Sequence, residues 1–153
     1  MGYQEEKQRQ LDIRYIKMAR IWAENSYCVR RQVGALLVKN KMIISDGYNG
    51  TPAGFENICE DEAGKTKPYV LHAEANAIIS ASRRDMIGAS IYLVGRDART
   101  GELLHDAMSC SMCKRQIINA GIDRVIIRTG ETEYITIPVS DWVENDDSIF
   151  ELV

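Results

Sequence analysis

The sequence predicts an α/β domain in which helices pack on the faces of a single β-sheet. A length of 153 residues suits one domain with a real hydrophobic core. An apolar content of 45% with 27% charged residues is that of an ordinary globular protein. Along the chain, helical periodicity alternates with short apolar runs in the order helix, two strands, helix, strand, helix, strand. A single domain over 1–153 is expected, with its core at about 11–139 and an acidic tail at 140–153.

Leu11, Tyr15, Met18, Ile21 and Trp22 recur at three- and four-residue spacings, which predicts an amphipathic helix from Leu11 to Glu24. Val33 to Val38 (VGALLV) reads as a buried strand, Lys39-Asn40-Lys41 as a turn, and Met42 to Ser45 as the second arm of a hairpin. Asp46 to Pro68 is punctuated by Gly and Pro and reads as a long ordered loop, a length that usually carries function. A helix is expected from Val70 to about Arg84, carrying HAEANAIISASRR, then a strand at Ser90 to Val94. The next helix starts near Cys110 and ends at Ala120, where Gly121 caps it. Val125 to Arg128 is another strand, with one more at Glu133 to Val139.

Several function classes are excluded early. No stretch approaches the ~18 apolar residues that span a bilayer, and MGYQEEKQRQ holds no signal-peptide core, so a cytoplasmic protein is expected. A net charge of -3 without a basic run argues against tracking long nucleic acids. A small anionic substrate, which needs only one or two Arg or Lys side chains, stays open.

The chemistry lies in His72 with Glu74, in Cys110 with Cys113, and in Asn49 of GYNG. Catalytic zinc takes three protein ligands and keeps one open position. His72, Cys110 and Cys113 supply those three, and two thiolates balance the dication. C-x-x-C at the first turn of a helix lets both sulfurs reach one ion beside free backbone N–H groups. Glu74 lies two residues past His72, about 200° around a regular helix, but at a helix start its carboxylate can reach water activated by the metal.

His-x-Glu followed by C-x-x-C is the signature of zinc deaminases, and His72-Ala73-Glu74 with Cys110-Ser111-Met112-Cys113 matches it. CVRRQVGALLV, IISDGYNGTPAGF, HAEANAI and IINAGIDRVII also resemble successive blocks of bacterial deoxycytidylate deaminases, over roughly Ile13 to Arg128. The resemblance implies a three-layer α/β/α domain around a mixed sheet of about five strands, with one catalytic zinc between two helix starts. It implies Glu74 as the proton carrier and hydrolysis of dCMP to dUMP and ammonia. Asn49 would bind the sugar and the backbone near Ala73 the base. Asn76 and Arg83, on His72's side of the expected helix, would stand near substrate, although eleven residues of helix place Arg83 ~16 Å from His72. Arg30 is the other candidate for a phosphate. Relatives that form hexamers switched by dCTP and dTTP with magnesium extend those expectations, a homo-oligomer included, to this chain.

The chain departs from that pattern in three places. Ser109 stands where the family usually has Pro, and is expected to serve as a cap instead. Where many relatives place a tyrosine, this chain has Ile126-Ile127-Arg128, and its next aromatic is Tyr134. Cys28 and Cys59 match positions where some relatives hold a second, structural zinc; without an export signal, two reduced thiols are the expectation, and His105 is not expected to join them. Two other readings remain: another deaminase of the superfamily (acting on cytidine, cytosine, tRNA adenosine or a riboflavin-pathway pyrimidine), or a non-catalytic zinc module related to competence proteins. Glu74 separates the last, since a structural site needs a fourth ligand and no carboxylate beside an open position.

Overall fold

The computed structural model describes residues 2–104 and 107–151. His105 lies outside the described residues. Helix α1 (Tyr3–Ala23) leads into the hairpin β1 (Arg31–Lys39) and β2 (Met42–Tyr48), whose turn places Asn40 and Lys41 at positive φ, as a two-residue hairpin requires. A long loop reaches α2 (Ala73–Ile79) and the short α3 (Arg83–Met86). Then follow β3 (Ser90–Asp97), α4 (Ser111–Ala120), β4 (Arg124–Arg128), β5 (Tyr134–Pro138), α5 (Val139–Asn145) and a 3-10 turn at Asp147–Phe150.

The five strands form one mixed sheet in the order β2-β1-β3-β4-β5. Only β3 and β4 run parallel, joined through α4, which is the crossover a parallel pair needs. Both faces of the central strands are covered, so β1 reads as a continuous apolar run rather than an alternation. Leu36 and Val38 pack with Tyr92, Ile126 and α1 on one face. Ala35 and Leu37 pack with Ile91, Leu93, Ile117 and Ile127 on the other, beneath α2, α4 and α5. This is the three-layer α/β/α arrangement expected above.

Besides the start of α1, at Tyr3 rather than Leu11, two expectations needed correction. The helix expected through Arg84 instead stops at Ile79. Ser80 returns its hydroxyl to the Asn76 carbonyl, and Ser82 caps a new helix by accepting from the Asp85 N–H. The residues after 139 are no mere acidic tail. Val139 and Trp142 are buried in the core, and Lys114 Nζ lies 2.6 Å from Asp146 Oδ2 and over the Trp142 ring. A polar-rich segment is held here by one tryptophan, one buried ammonium and the Arg115 guanidinium, which donates to the Ile149 and Glu151 carbonyls.

A geometric detail prepares the site. A Cβ on Gly47 would lie 2.4 Å from the Ala73 carbonyl oxygen and 2.6 Å from the Ala77 nitrogen. Glycine therefore lets the start of α2 lie directly on β2. Gly121, at φ +83, closes α4 in the left-handed conformation expected of it.

Candidate metal and catalytic site

His72 does not belong to α2; it is the N-cap, with extended backbone at φ -78 and ψ 156. The bridge between Gly50 and Leu71 holds the preceding chain against the GYNG turn and delivers His72 to that position. Cys110 is likewise the N-cap of α4 and Cys113 lies one turn in, with Lys114 N–H donating to the Cys110 carbonyl at 2.9 Å. Two helix starts thus meet. The His72 Nδ1 is 3.2 Å from Cys113 Sγ and 3.4 Å from Cys110 Sγ. All three ligand atoms lie within 4.8 Å of one another.

The donor set fits zinc in number, type and spacing. Burial, then the Glu74 carboxylate, then Cys110 push the Cys113 thiol well above its usual range. Such a cluster is penalised without a cation and relieved by one. The three residues grade from exposed His72 to buried Cys113, so the cluster is open on the histidine side.

That open side faces a cavity of about 210 Å³ walled by Arg31, Val33, Asn49, His72, Glu74 and Cys110, among others. Glu74 is only 5% exposed, a buried carboxylate beside the Cys113 sulfur and in the second position of α2. The 200° objection from the sequence dissolves because His72 is not helical. Ala73 lines the same cavity.

The remaining candidates divide. Asn49 reaches the cavity, but its side chain also braces the fold: Oδ1 accepts from Val33 N–H and Nδ2 donates to the Arg31 carbonyl, each at 2.8 Å. Asn76 points elsewhere, donating to the Tyr48 carbonyl at 2.8 Å and lining a separate groove behind β2. Arg83 opens α3 and donates through Nε to the Asn119 carbonyl at 3.2 Å, so it does not face the cavity. Arg30 donates to Thr66 Oγ1 at 3.4 Å and lines neighbouring hollows. Its successor Arg31, which the sequence reading passed over, is the arginine on the cavity wall. Tyr134 lies on the opposite face of the sheet, its hydroxyl donating to buried Asp12 at 3.1 Å.

Cys28 and Cys59 are not reduced thiols. They form a disulfide, with Cα atoms 5.2 Å apart. Among the described residues no third ligand joins them to make a metal cluster. The loop after β2 folds back on the segment before β1, where Glu60 accepts from the Val29 and Arg30 N–H groups, and this brings the two sulfurs together. Nor does Ser109 cap α4; its hydroxyl is buried without a hydrogen-bond partner among the described residues, and Cys110 takes the cap position.

Residues 9–129 match the family model for the cytidine and deoxycytidylate deaminase zinc-binding region. A deoxycytidylate deaminase of Mycobacterium phage D29 is 30% identical over 126 residues, covering 73% of this chain and 89% of that protein. The fission yeast (Schizosaccharomyces pombe) deoxycytidylate deaminase is 33% identical over 129 residues, but the match spans only 37% of that longer protein. Among solved structures, the dCMP deaminase of cyanophage S-TIM5 in complex with dCMP and dUMP superposes with a TM-score of 0.62 at 32% identity, covering 83% of this chain and 82% of that one.

Proposed function

The chain belongs to the cytidine and deoxycytidylate deaminase family, and we propose that it hydrolyses dCMP to dUMP and ammonia. The observation that carries this reading is a buried carboxylate, Glu74, beside a three-ligand cluster whose open side faces a pocket. A structural zinc module would need a fourth ligand and has no use for that carboxylate. The cyanophage relative, solved with dCMP and dUMP, supports the choice of nucleotide.

His72, Cys110 and Cys113 would hold zinc, which supplies a Lewis acid that makes water acidic enough to ionise near neutral pH. Glu74 takes the proton from the attacking water and delivers it to N3 of cytosine as the oxygen adds to C4. The hydroxyl proton of the tetrahedral adduct then passes through Glu74 to the 4-amino nitrogen. The C4–N bond breaks, ammonia leaves, and a carbonyl remains at C4. Asn49 would meet the sugar, and its two backbone bonds support that role by holding the side chain in one orientation beforehand. Arg31 takes the role first sought in Arg30 and Arg83, at the phosphate.

A phosphate bond to Arg31 is worth about 1.5–3 kcal/mol, roughly tenfold to a hundredfold in kcat/KM. Deoxycytidine is therefore expected to be much poorer than dCMP, and Arg31→Ala to close that gap by weakening dCMP alone. Equal kcat/KM for the two in the wild type would end the monophosphate reading while leaving the deaminase intact. No helix among the described residues is long and apolar enough to cross a membrane. A cytoplasmic homo-oligomer with dCTP and dTTP effectors and magnesium completes the proposal. Sedimentation with and without dCTP and magnesium tests it.

A further inference from the structure

The pocket of His72 and Glu74 does not end at Arg31. Arg31 and Leu104 are also walls of a larger cavity of about 500 Å³, which Arg30 and Arg99 border as well. Three arginines, the adjacent Arg30 and Arg31 and the distant Arg99, thus line one concavity. Arg31 opens β1, where it pairs with Asp97 at the end of β3, and the turn after Asp97 folds Arg99 back beside them.

One carboxylate, Asp97, opposes them on that wall. It accepts from the N–H groups of Arg99 and Thr100 and lies 3.9 Å from Arg99 Nε. Those bonds, with the nearby charges of Arg99 and Arg31, hold its carboxyl below the usual range, so it is ionised. One negative charge then faces three positive ones, in a chain of net charge -3. Glu60 lines the adjoining hollow with Arg30 and Arg31, but its carboxylate accepts from the Val29 and Arg30 backbone N–H groups. The Arg31 side chain makes no hydrogen bond or ion pair among the described residues, Arg30 has only the long bond to Thr66, and the Arg99 pair is exposed and weak. Three arginines against one carboxylate, among the described residues of that wall, suit a ligand bearing several phosphate oxygens.

We propose that Arg30, Arg31 and Arg99 form a polyphosphate subsite continuous with the deaminase pocket, so that cytosine deoxynucleoside di- and triphosphates bind there, their outer phosphates running from Arg31 toward Arg99. This rests on the deaminase reading above for the base end of the pocket. Arg99 has a side chain 81% exposed, so replacing it leaves the core untouched.

The test uses the zinc-loaded full chain. Inhibition of dCMP turnover by dCTP is measured for wild type and Arg99→Ala, with dUTP formation followed in parallel and calorimetric binding of inorganic tripolyphosphate as a separate arm. Competitive inhibition is expected, and Arg99→Ala should raise the ratio of the dCTP Ki to the dCMP KM roughly tenfold. Tripolyphosphate binding should weaken by a similar factor and fall with added salt. Inhibition that is non-competitive, or indifferent to both Arg99→Ala and Arg99→Glu, would overturn the subsite, as would dCTP that neither competes nor reacts. If dCMP itself is not turned over, the deaminase reading fails, yet tripolyphosphate binding that depends on Arg99 would still uphold the cationic cavity.

Discussion

Gly47→Ala tests whether the close seating of α2 on β2 sets the site. Neither Gly47 nor Gly34 needs positive φ, so alanine is allowed at both and only sterics change. At Gly47 the new Cβ would lie 2.4 Å from the Ala73 carbonyl oxygen, where an ordinary contact needs about 3.4 Å, so the start of α2 must retreat by about 1 Å. Ala73 sits between His72 and Glu74, and both must move with it. Overpacking of this kind costs ~1–3 kcal/mol, a fall of roughly 2–12 °C in Tm at this chain length. A misplacement of ~1 Å at reacting groups costs about 10²-fold in rate. Gly34→Ala is the control. Its Cβ would lie 2.1 Å from the Ala19 carbonyl oxygen, so it pushes α1 on the far face of the sheet and should lower Tm comparably while keeping kcat/KM within about threefold. Calorimetry, zinc content and dCMP turnover are measured on both variants. Wild-type turnover in Gly47→Ala, or equal losses in the two variants, would refute the idea that this contact positions His72 and Glu74.

Glu74→Gln is expected to keep about one zinc per chain and lose ~10²–10⁴-fold in turnover; loss of the metal instead would make the carboxylate a ligand. Cys113→Ser should lose most of the zinc, as read by atomic absorption. Thiol titration of unfolded, metal-free protein should find the two free cysteines, Cys110 and Cys113, before reduction and four after it. Removing the Cys28–Cys59 bridge, which closes a loop of 31 residues, should cost about 3–4 kcal/mol, and a stability unchanged by its removal would count against the bond. The Lys114 ammonium, with Ser148, holds the Asp146 carboxyl down to about 2. A carboxyl depressed by folding contributes stability that is present above its unfolded value near 4 and lost as pH falls through about 2. The Tm advantage of wild type over Asp146→Asn should therefore shrink between pH 4 and pH 2, and a gap that stays constant would show that the ion pair does not hold the C-terminal segment.

Much of the fold was legible because strand and helix periods differ sharply here. VGALLV, a short apolar run followed by a turn, reads as a buried strand, and Gly121 marks the end of α4. The early start of α1, at Tyr3 rather than Leu11, was invisible because its first two turns are exposed and carry no apolar period. The break after Ile79 was hidden for the opposite reason. SASRR continues a plausible helical pattern, and the decision rests on serine hydroxyls competing for backbone groups, which no periodicity reveals. From sequence Trp142 belongs to a polar tail, because one buried indole among acidic neighbours leaves no stripe.

The metal cluster was legible for a different reason: its ligands and Glu74 sit at helix starts, where spacing along the chain nearly fixes spacing in space. The arginines obey no such rule. Arg30 and Arg31 are adjacent, and which of them meets the pocket depends on where β1 begins and on its register with β3, since one residue of slip reverses the face. Arg83 depended on a helix that does not continue. Cys28 and Cys59 are 31 residues apart and meet only because the long loop folds back over the start of β1, with Glu60 gripping two N–H groups there. The same closure brings Thr66 to Arg30 and to the wall it shares with Arg31. Reaction chemistry is thus written locally at the two helix starts, whereas substrate selection depends on strand register and loop return. A change in the loop or in the disulfide should therefore act mainly on KM, and a change at the helix starts mainly on kcat.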